Sequence, residues 1–489
     1  MLIIVLLGLG VTLAVLEQPV PLGLEPPAWL AGPAVAVYLL AAAAVTAANT
    51  ASTVRAVGYP DALAAARAVR RHRMLGAFNY AWLIAGSAAV MSAGYKDLIV
   101  ERLRLADLPL AAALVAWAPF AAALLITWAL DYPFYRAMRL RTVAAGPAAQ
   151  PAAAAVWSRG EFLLFNARHY LLMVAVPVGM IVLASDSIRL YLCPLLPSPA
   201  DAAAMVLGSL VSAAVVFLVS PAVIVRIWRT SPLPAGQLRQ ELEWLCRQMK
   251  LRYRDILIWH SGGAIANAAV MGLTGRIRYI LISDGLLANL DSSAVKAIFA
   301  HEAGHIRHHH ILHSVVFAVA SAALCAAAVE PLAAVMGWGD EMAQAVFLLL
   351  LATVWAAGFG WVSRRFEWQS DAMAAYLAAR QWANPSPADG PEQPAPADGR
   401  ITLNGAMVFA YALHRVAQLN GIPANQRNWR HGSIAARIAR VMYLGETAAP
   451  IARVNRATRR VKLLLWLALA AAVAANVIQV LLAPPLAGA

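Results

Sequence analysis

The sequence predicts a mainly α-helical, polytopic membrane protein with about nine transmembrane helices and a smaller α+β segment on the cytoplasmic side. Three observations lead there. The 489 residues are 61% hydrophobic and only 13% charged, against about 25% charged residues in soluble domains. Eight apolar runs reach the roughly 17–25 residues needed to cross a bilayer. The loops between them alternate between basic and non-basic, and both long polar segments are basic.

In chain order, the apolar runs lie at about 29–49, 75–94, 108–130, 168–185, 203–226, 314–337, 343–363 and 462–483. Met1 to Leu16 is apolar but short, with neither a positive n-region nor an A-x-A site, and it reads as an uncleaved helix. The loop after it carries Glu17 and Glu25 and no Lys or Arg, whereas the next carries Arg55, Arg67, Arg70, Arg71 and Arg73. Residues 131–167 and both polar segments, 227–313 and 364–461, are basic again, while 338–342 holds Asp340 and Glu341. Because basic loops stay in the cytoplasm, this pattern puts the N-terminus and both polar segments there and, with nine helices, the C-terminus outside. The net charge of +14 follows from the same bias, and no basic helix with interleaved aromatics suggests a nucleic-acid surface.

The division expected is an N-terminal membrane domain of about six helices (1–230), a first polar part (231–313), a transmembrane hairpin (314–363), a second polar part (364–461) and a C-terminal transmembrane helix (462–489). The first polar part begins with an amphipathic helix, Gly236 to Lys250. Strand-like runs follow at Ile256 to His260, Ile265 to Met271 and Tyr279 to Ile282. Asp291 is placed to cap the next helix, which runs on into the membrane. The second part reads as a helix from Arg365 to Arg380, a Pro/Ala-rich mobile loop from Asn384 to Gly399, and helices at Asn404 to Leu419 and about Ser433 to Tyr443.

Chemistry concentrates at His301-Glu302-Ala303-Gly304-His305, a HExxH motif. Residues four apart share a helical face, so His301 and His305 can point at one metal ion. Glu302 stands roughly 100° around the helix, where a general base can take a proton from a metal-bound water. A catalytic zinc site needs three protein ligands and an open position. Cys193, Cys246 and Cys325 form no CxxC pair, so the third ligand must be another His or a carboxylate. Glu367 is the candidate, just after the 343–363 run and on the same side as the motif. Asp371, one turn on, can accept the second ring N–H of a ligating His and set its tautomer. His308, His309, His310 and His313 read as a juxtamembrane polar patch rather than as ligands.

Taken in order, Asn267-Ala268, Gly272, Ser283-Asp284-Gly285-Leu286-Leu287, the HExxH motif, Arg365-Phe366-Glu367 with Asp371, and His431 with Arg437-Ile438 resemble the integral-membrane zinc metalloproteases that comprise the CAAX prenyl proteases and the HtpX-type proteases. The resemblance covers about 236–445. It implies a gluzincin-like α+β core that binds one Zn2+ through His301, His305 and Glu367, with Glu302 as base. It also implies that Asn267 and Ala268 lie on the edge strand that receives the substrate backbone, that His431 helps stabilise the oxyanion, and that Arg437 braces the site. Ala294, Ser370 and Gly432 depart from the family pattern, where Glu, Ala and Pro are common. The helix count departs too, and the first 230 residues match at no motif.

The function expected is a membrane-bound zinc metalloendopeptidase, cutting membrane-associated proteins or peptides at the cytoplasmic face of what is expected to be a bacterial inner membrane. The bilayer and those substrates are the partners implied. The alternatives are a polytopic metal-binding transporter and a catalytically inactive protease homologue. Cleavage within the bilayer is disfavoured, because Lys296 and Arg307 flank the motif and are costly in hydrocarbon.

Overall fold

The computed structural model describes residues 1–17, 27–57, 62–144, 156–198, 200–263, 265–381 and 399–482. Two compact units divide the chain: Met1–Thr230 with Trp259–Ala264, and Ser231–Ile258 with Ile265–Ala489.

The first unit is helical: α1 (Leu2–Glu17), α2 (Ala31–Val57), α3 (Ala62–Val90), α4 (Ala111–Ala144), α5 (Arg159–Asn166), α6 (Met173–Ser187) and α7 (Ala200–Ile227). Its core is built from Val5, Leu9, Tyr38, Leu83, Trp117 and Phe120. Small polar residues form a second buried set. His72 Nε2 lies 3.0 Å from Asp131 Oδ1, Thr50 donates to the same oxygen at 3.0 Å, and Asn79 donates to Thr46. Asn79 and Thr46 bond across α3 and α2, and Thr50 bonds Asp131 across α2 and α4. Polar pairing of this kind joins helices that have only lipid-like surfaces to offer one another.

The second unit holds β1 (Thr230–Pro232), α8 (Gln237–Gln248), β2 (Asp255–Trp259), β3 (Ala268–Met271), β4 (Tyr279–Ser283), α9 (Asp284–Asn289), α10 (Ser292–Arg307), α11 (His310–Met336), α12 (Asp340–Val354), α13 (Gly360–Gln381), α14 (Leu403–Leu419), α15 (Ile434–Glu446) and α16 (Ile451–Leu482). The sheet order is β1-β2-β4-β3, so β3 is an edge strand, antiparallel to β4 with Ala268 opposite Ile282. Leu242, Leu245, Ile256, Ile280, Phe299 and Phe409 fill the core between the sheet and α8, α10, α13, α14 and α15.

Among the described residues, eight helices are long and apolar enough to cross a membrane, and the protein is an integral membrane protein. The ninth expected helix, α1, has 16 residues. At 1.5 Å per residue it spans about 24 Å, short of the roughly 30 Å hydrocarbon core. The HExxH helix α10 is not one of the eight.

Several boundaries move. α10 does not run into the membrane helix: it stops at Arg307, His309 takes a left-handed conformation at φ +54°, and α11 restarts at His310. Histidine is among the residues that tolerate this region. The run expected at 343–363 and the helix expected from Arg365 join into continuous helix from Asp340 to Gln381, through a π-turn at Trp355–Phe359. α16 begins eleven residues before the expected 462, carrying its basic first half as helix. Of the strand expected from Ile265, only Ala268–Met271 forms. Asp291 sits at the N-cap of α10 with extended backbone but makes no side-chain cap bond. The loop expected from Asn384 to Gly399 lies, up to residue 398, outside the described residues.

Candidate active site

α10 and α13 pack closely enough to bring the candidate ligands together. A Cβ on Gly304 would lie 3.2 Å from Ser370 Cα, so the absence of a side chain at Gly304 sets the approach of the two helices. Lys296 anchors the first half of α10 through Glu241 of α8 at 3.0 Å. Across this contact, one ligand atom each from His301, His305 and Glu367 lies within 4.8 Å of the others. His301 and Glu367 are buried, at 6% and 3% exposure.

Asp371 Oδ1 faces His301 Nδ1 at 2.9 Å. Arg437 from α15 donates to both Asp371 oxygens, at 3.0 and 2.6 Å, and lies 3.4 Å from Glu367 Oε2. His431 Nδ1 is 2.8 Å from Glu367 Oε1. A tight turn presents this histidine. Asn428 and Gly432 exchange backbone hydrogen bonds, and Asn428 Oδ1 accepts from the backbone N–H of Arg430 and His431. Gly432 closes the turn at φ +76°, which proline cannot adopt. The departure from Pro at this position thus has a local cause.

His305 is oriented by His310, which the sequence placed in a polar patch, and by residues that sequence reasoning did not single out. Its Nδ1 lies 2.9 Å from His310 Nδ1, and His310 Nε2 lies 2.9 Å from Gln369 Oε1. Gln369 Nε2 donates to Asn455 Oδ1 at 2.8 Å, and Lys462 Nζ donates to Gln369 Oε1 at 3.2 Å. These bonds have one consistent sense. Gln369 Oε1 accepts, so His310 carries its proton on Nε2 and accepts at Nδ1. His305 must then carry its proton on Nδ1, which leaves its Nε2 bare. The break at His309 makes this possible. In an unbroken helix His310 would stand about 140° around the axis from His305.

The bare Nε2 of His305 faces His301 Nε2 at 3.3 Å, with Glu367 Oε1 3.6 Å from it. Glu367 Oε2 is buried without a hydrogen bond. These atoms converge on one point, where a positive charge, a proton on His301 or a metal ion, is stabilised. The donor set, two imidazoles and one carboxylate, is one that binds catalytic zinc, so the residues fit the ion.

The electrostatics agree. Burial holds the His305 imidazole neutral, lowering it to about 3. At His301 burial also opposes charge, but Asp371 and Glu367 outweigh it and raise the ring to about 10. The field that favours a proton there favours a metal cation equally. Burial pushes the Glu302 carboxyl up to about 7, the range suited to a general base near neutrality.

These residues line one cleft of about 720 Å³, with Ala268 and Val270 on one wall and Phe409, Leu413 and Val416 of α14 among its apolar lining. Asn267 lies just before β3. Ser283 N donates to its carbonyl and Ser283 Oγ accepts from its N–H, both at 2.9 Å. In an antiparallel pair the inward- and outward-bonding residues alternate, so Ala268 and Val270 direct their N–H and C=O away from β4. Ala266 is held by Asn420, whose side chain accepts from its N–H at 3.2 Å and donates to its C=O at 2.7 Å.

Fold and site together describe a membrane protein that carries a HExxH helix against a His/Glu cluster able to hold a metal ion. More particularly, residues 232–389 match the family model of peptidase family M48. Among solved structures, the crystal structure of S. mikatae Ste24p is similar over 83% of this chain and 98% of that chain, at 14% identity and a TM-score of 0.38. No curated protein matches the chain.

Proposed function

We propose that the protein is a zinc-dependent endopeptidase acting on membrane-associated proteins or peptides at the cytoplasmic face of its membrane, in a bacterium the inner membrane. The observation that carries the reading is the convergence of His301, His305 and Glu367, with Glu302 beside them, in a cleft walled by an edge strand. The cytoplasmic side rests on the basic bias of residues 227–313 and 364–461.

His301, His305 and Glu367 would hold the zinc, which when bound acidifies water and polarises a peptide carbonyl. Glu302 takes the proton from the attacking water and later delivers it to the leaving amine. Asp371 and Arg437 hold His301 and Glu367 in place. The substrate chain lies against β3, pairing with the outward N–H and C=O of Ala268 and Val270, as strands added to a sheet edge do. Asn267 contributes its side chain to the cleft, its backbone being bonded to Ser283. His431 stands at the cleft wall, partly exposed, where its ring can donate to an oxygen that gains charge during attack.

Glu302→Gln tests the proposal. The variant is expected to keep zinc at the wild-type stoichiometry, measured by elemental analysis, and to lose cleavage of a membrane-protein substrate. Undiminished cleavage by it overturns the mechanism.

A further inference from the structure

Two arginines beside the metal site take no part in it. On α13, Trp361, Arg365 and Trp368 recur at intervals of four and three, one stripe of the helix. The Arg365 guanidinium lies over Trp361 at 4.7 Å and over Trp368 at 4.1 Å. Arg440 of α15 lies over the same Trp368 ring at 3.2 Å. Two cations thus share one indole. Among the described residues no carboxylate pairs with either: Glu367 faces the metal cluster, and Asp371 is taken up by Arg437.

Stacking on an indole offsets part of the repulsion between the two charges, and it holds both guanidinium groups as fixed, planar donors. Donors of that shape match an anion with several oxygens, as in a phosphate. Their position selects among phosphates. Arg364 and Arg365 are the first charges after the apolar run of the 340–378 membrane helix, and Trp361 beside them is exposed. Exposed indoles and basic side chains at such a boundary lie at headgroup level, where anionic lipids supply the phosphates.

We propose that Arg365, Arg440 and Trp368 form a binding site for the phosphate of an anionic phospholipid headgroup. The site spans the two helices that Asp371 and Arg437 already join. Arg437 and Arg440 are three apart on α15, so a phosphate bridging Arg365 and Arg440 ties α13 to α15 one turn from the brace of the metal cluster.

The test uses the full chain in nanodiscs of phosphatidylcholine containing phosphatidylglycerol, with co-extracted lipid measured by native mass spectrometry. Wild type is expected to retain phosphatidylglycerol in preference to phosphatidylcholine, and excess inorganic phosphate is expected not to displace it. A basic residue near an anionic surface is worth roughly fivefold in affinity, so Arg365→Gln with Arg440→Gln should lower that retention roughly thirtyfold. The double replacement by Lys keeps the charge and loses the planar fork, and an intermediate loss is expected. Equal retention by the Gln pair overturns the site. Full retention by the Lys pair reduces it to general surface charge and overturns it as well. Displacement by inorganic phosphate without lipid preference overturns the lipid assignment. Zinc content and thermal unfolding of each variant show that the fold is intact.

Discussion

Replacing Gln369 by Leu removes the acceptor that sets the proton positions of two histidines. Gln369 is 3% exposed and takes part in bonds to His310, Asn455 and Lys462. Each buried polar group left unpaired costs about 1–3 kcal/mol. His310 can escape that cost by moving its proton to Nδ1, which faces His305 Nδ1 at 2.9 Å. His305 must then shift its own proton to Nε2, the atom that would bind the metal. Metal binding has to reverse both shifts and restore the unpaired donor, at about 1.4–2.8 kcal/mol. That corresponds to roughly a 10–100-fold loss of affinity, the range seen when the partner that orients a ligating histidine is removed. Competition against a chromophoric chelator measures it on the purified protein, without reference to proteolysis. Gln369→Glu keeps an acceptor at the same place and is expected to retain most of the affinity. Wild-type affinity in Gln369→Leu refutes the reasoning, because the chain of hydrogen bonds would then not control His305.

Other outcomes follow from the same geometry. Because burial raises Glu302 and the base must be ionised, kcat is expected to fall about tenfold per pH unit below the Glu302 pKa of the metal-loaded enzyme; a profile with no acid limb argues against Glu302 as base. Arg437→Ala leaves Asp371 and Glu367 buried without their cation, and should cost about 3–5 kcal/mol in denaturant unfolding; a loss under about 1 kcal/mol contradicts the brace. Gly304→Val forces α10 from Ser370 and should destabilise by about 1–3 kcal/mol while weakening zinc binding in the chelator assay. Val270→Pro removes an outward N–H without breaking the ladder to β4, so KM should rise with zinc content unchanged; an unchanged KM speaks against strand addition.

Much of the fold is legible in the chain because the membrane makes it so. A helix must satisfy its own backbone in hydrocarbon, so eight apolar runs become eight helices wherever their neighbours lie. His301, Glu302 and His305 are equally local, since one helical turn fixes their relation. Glu367 lies 62 residues after His305, but a hairpin of two apolar helices leaves it few places to return. Asp371 follows from the helical spacing after Glu367.

The rest is decided by tertiary structure. His310 read as part of a polar patch, because its spacing from His305 is wrong for one helical face. Only the left-handed turn at His309 brings its ring onto His305. Gln369, Asn455 and Lys462 carry no motif, and they act because α13 and α16 happen to meet there. The outward register of Ala268 and Val270 depends on which residues bond to β4, a pairing that no local pattern states. Periodicity along one helix thus determined which side chains could hold a metal. Contacts between helices decided how those side chains are turned and where their protons sit, because hydrogen bonds and close packing act across space rather than along the chain.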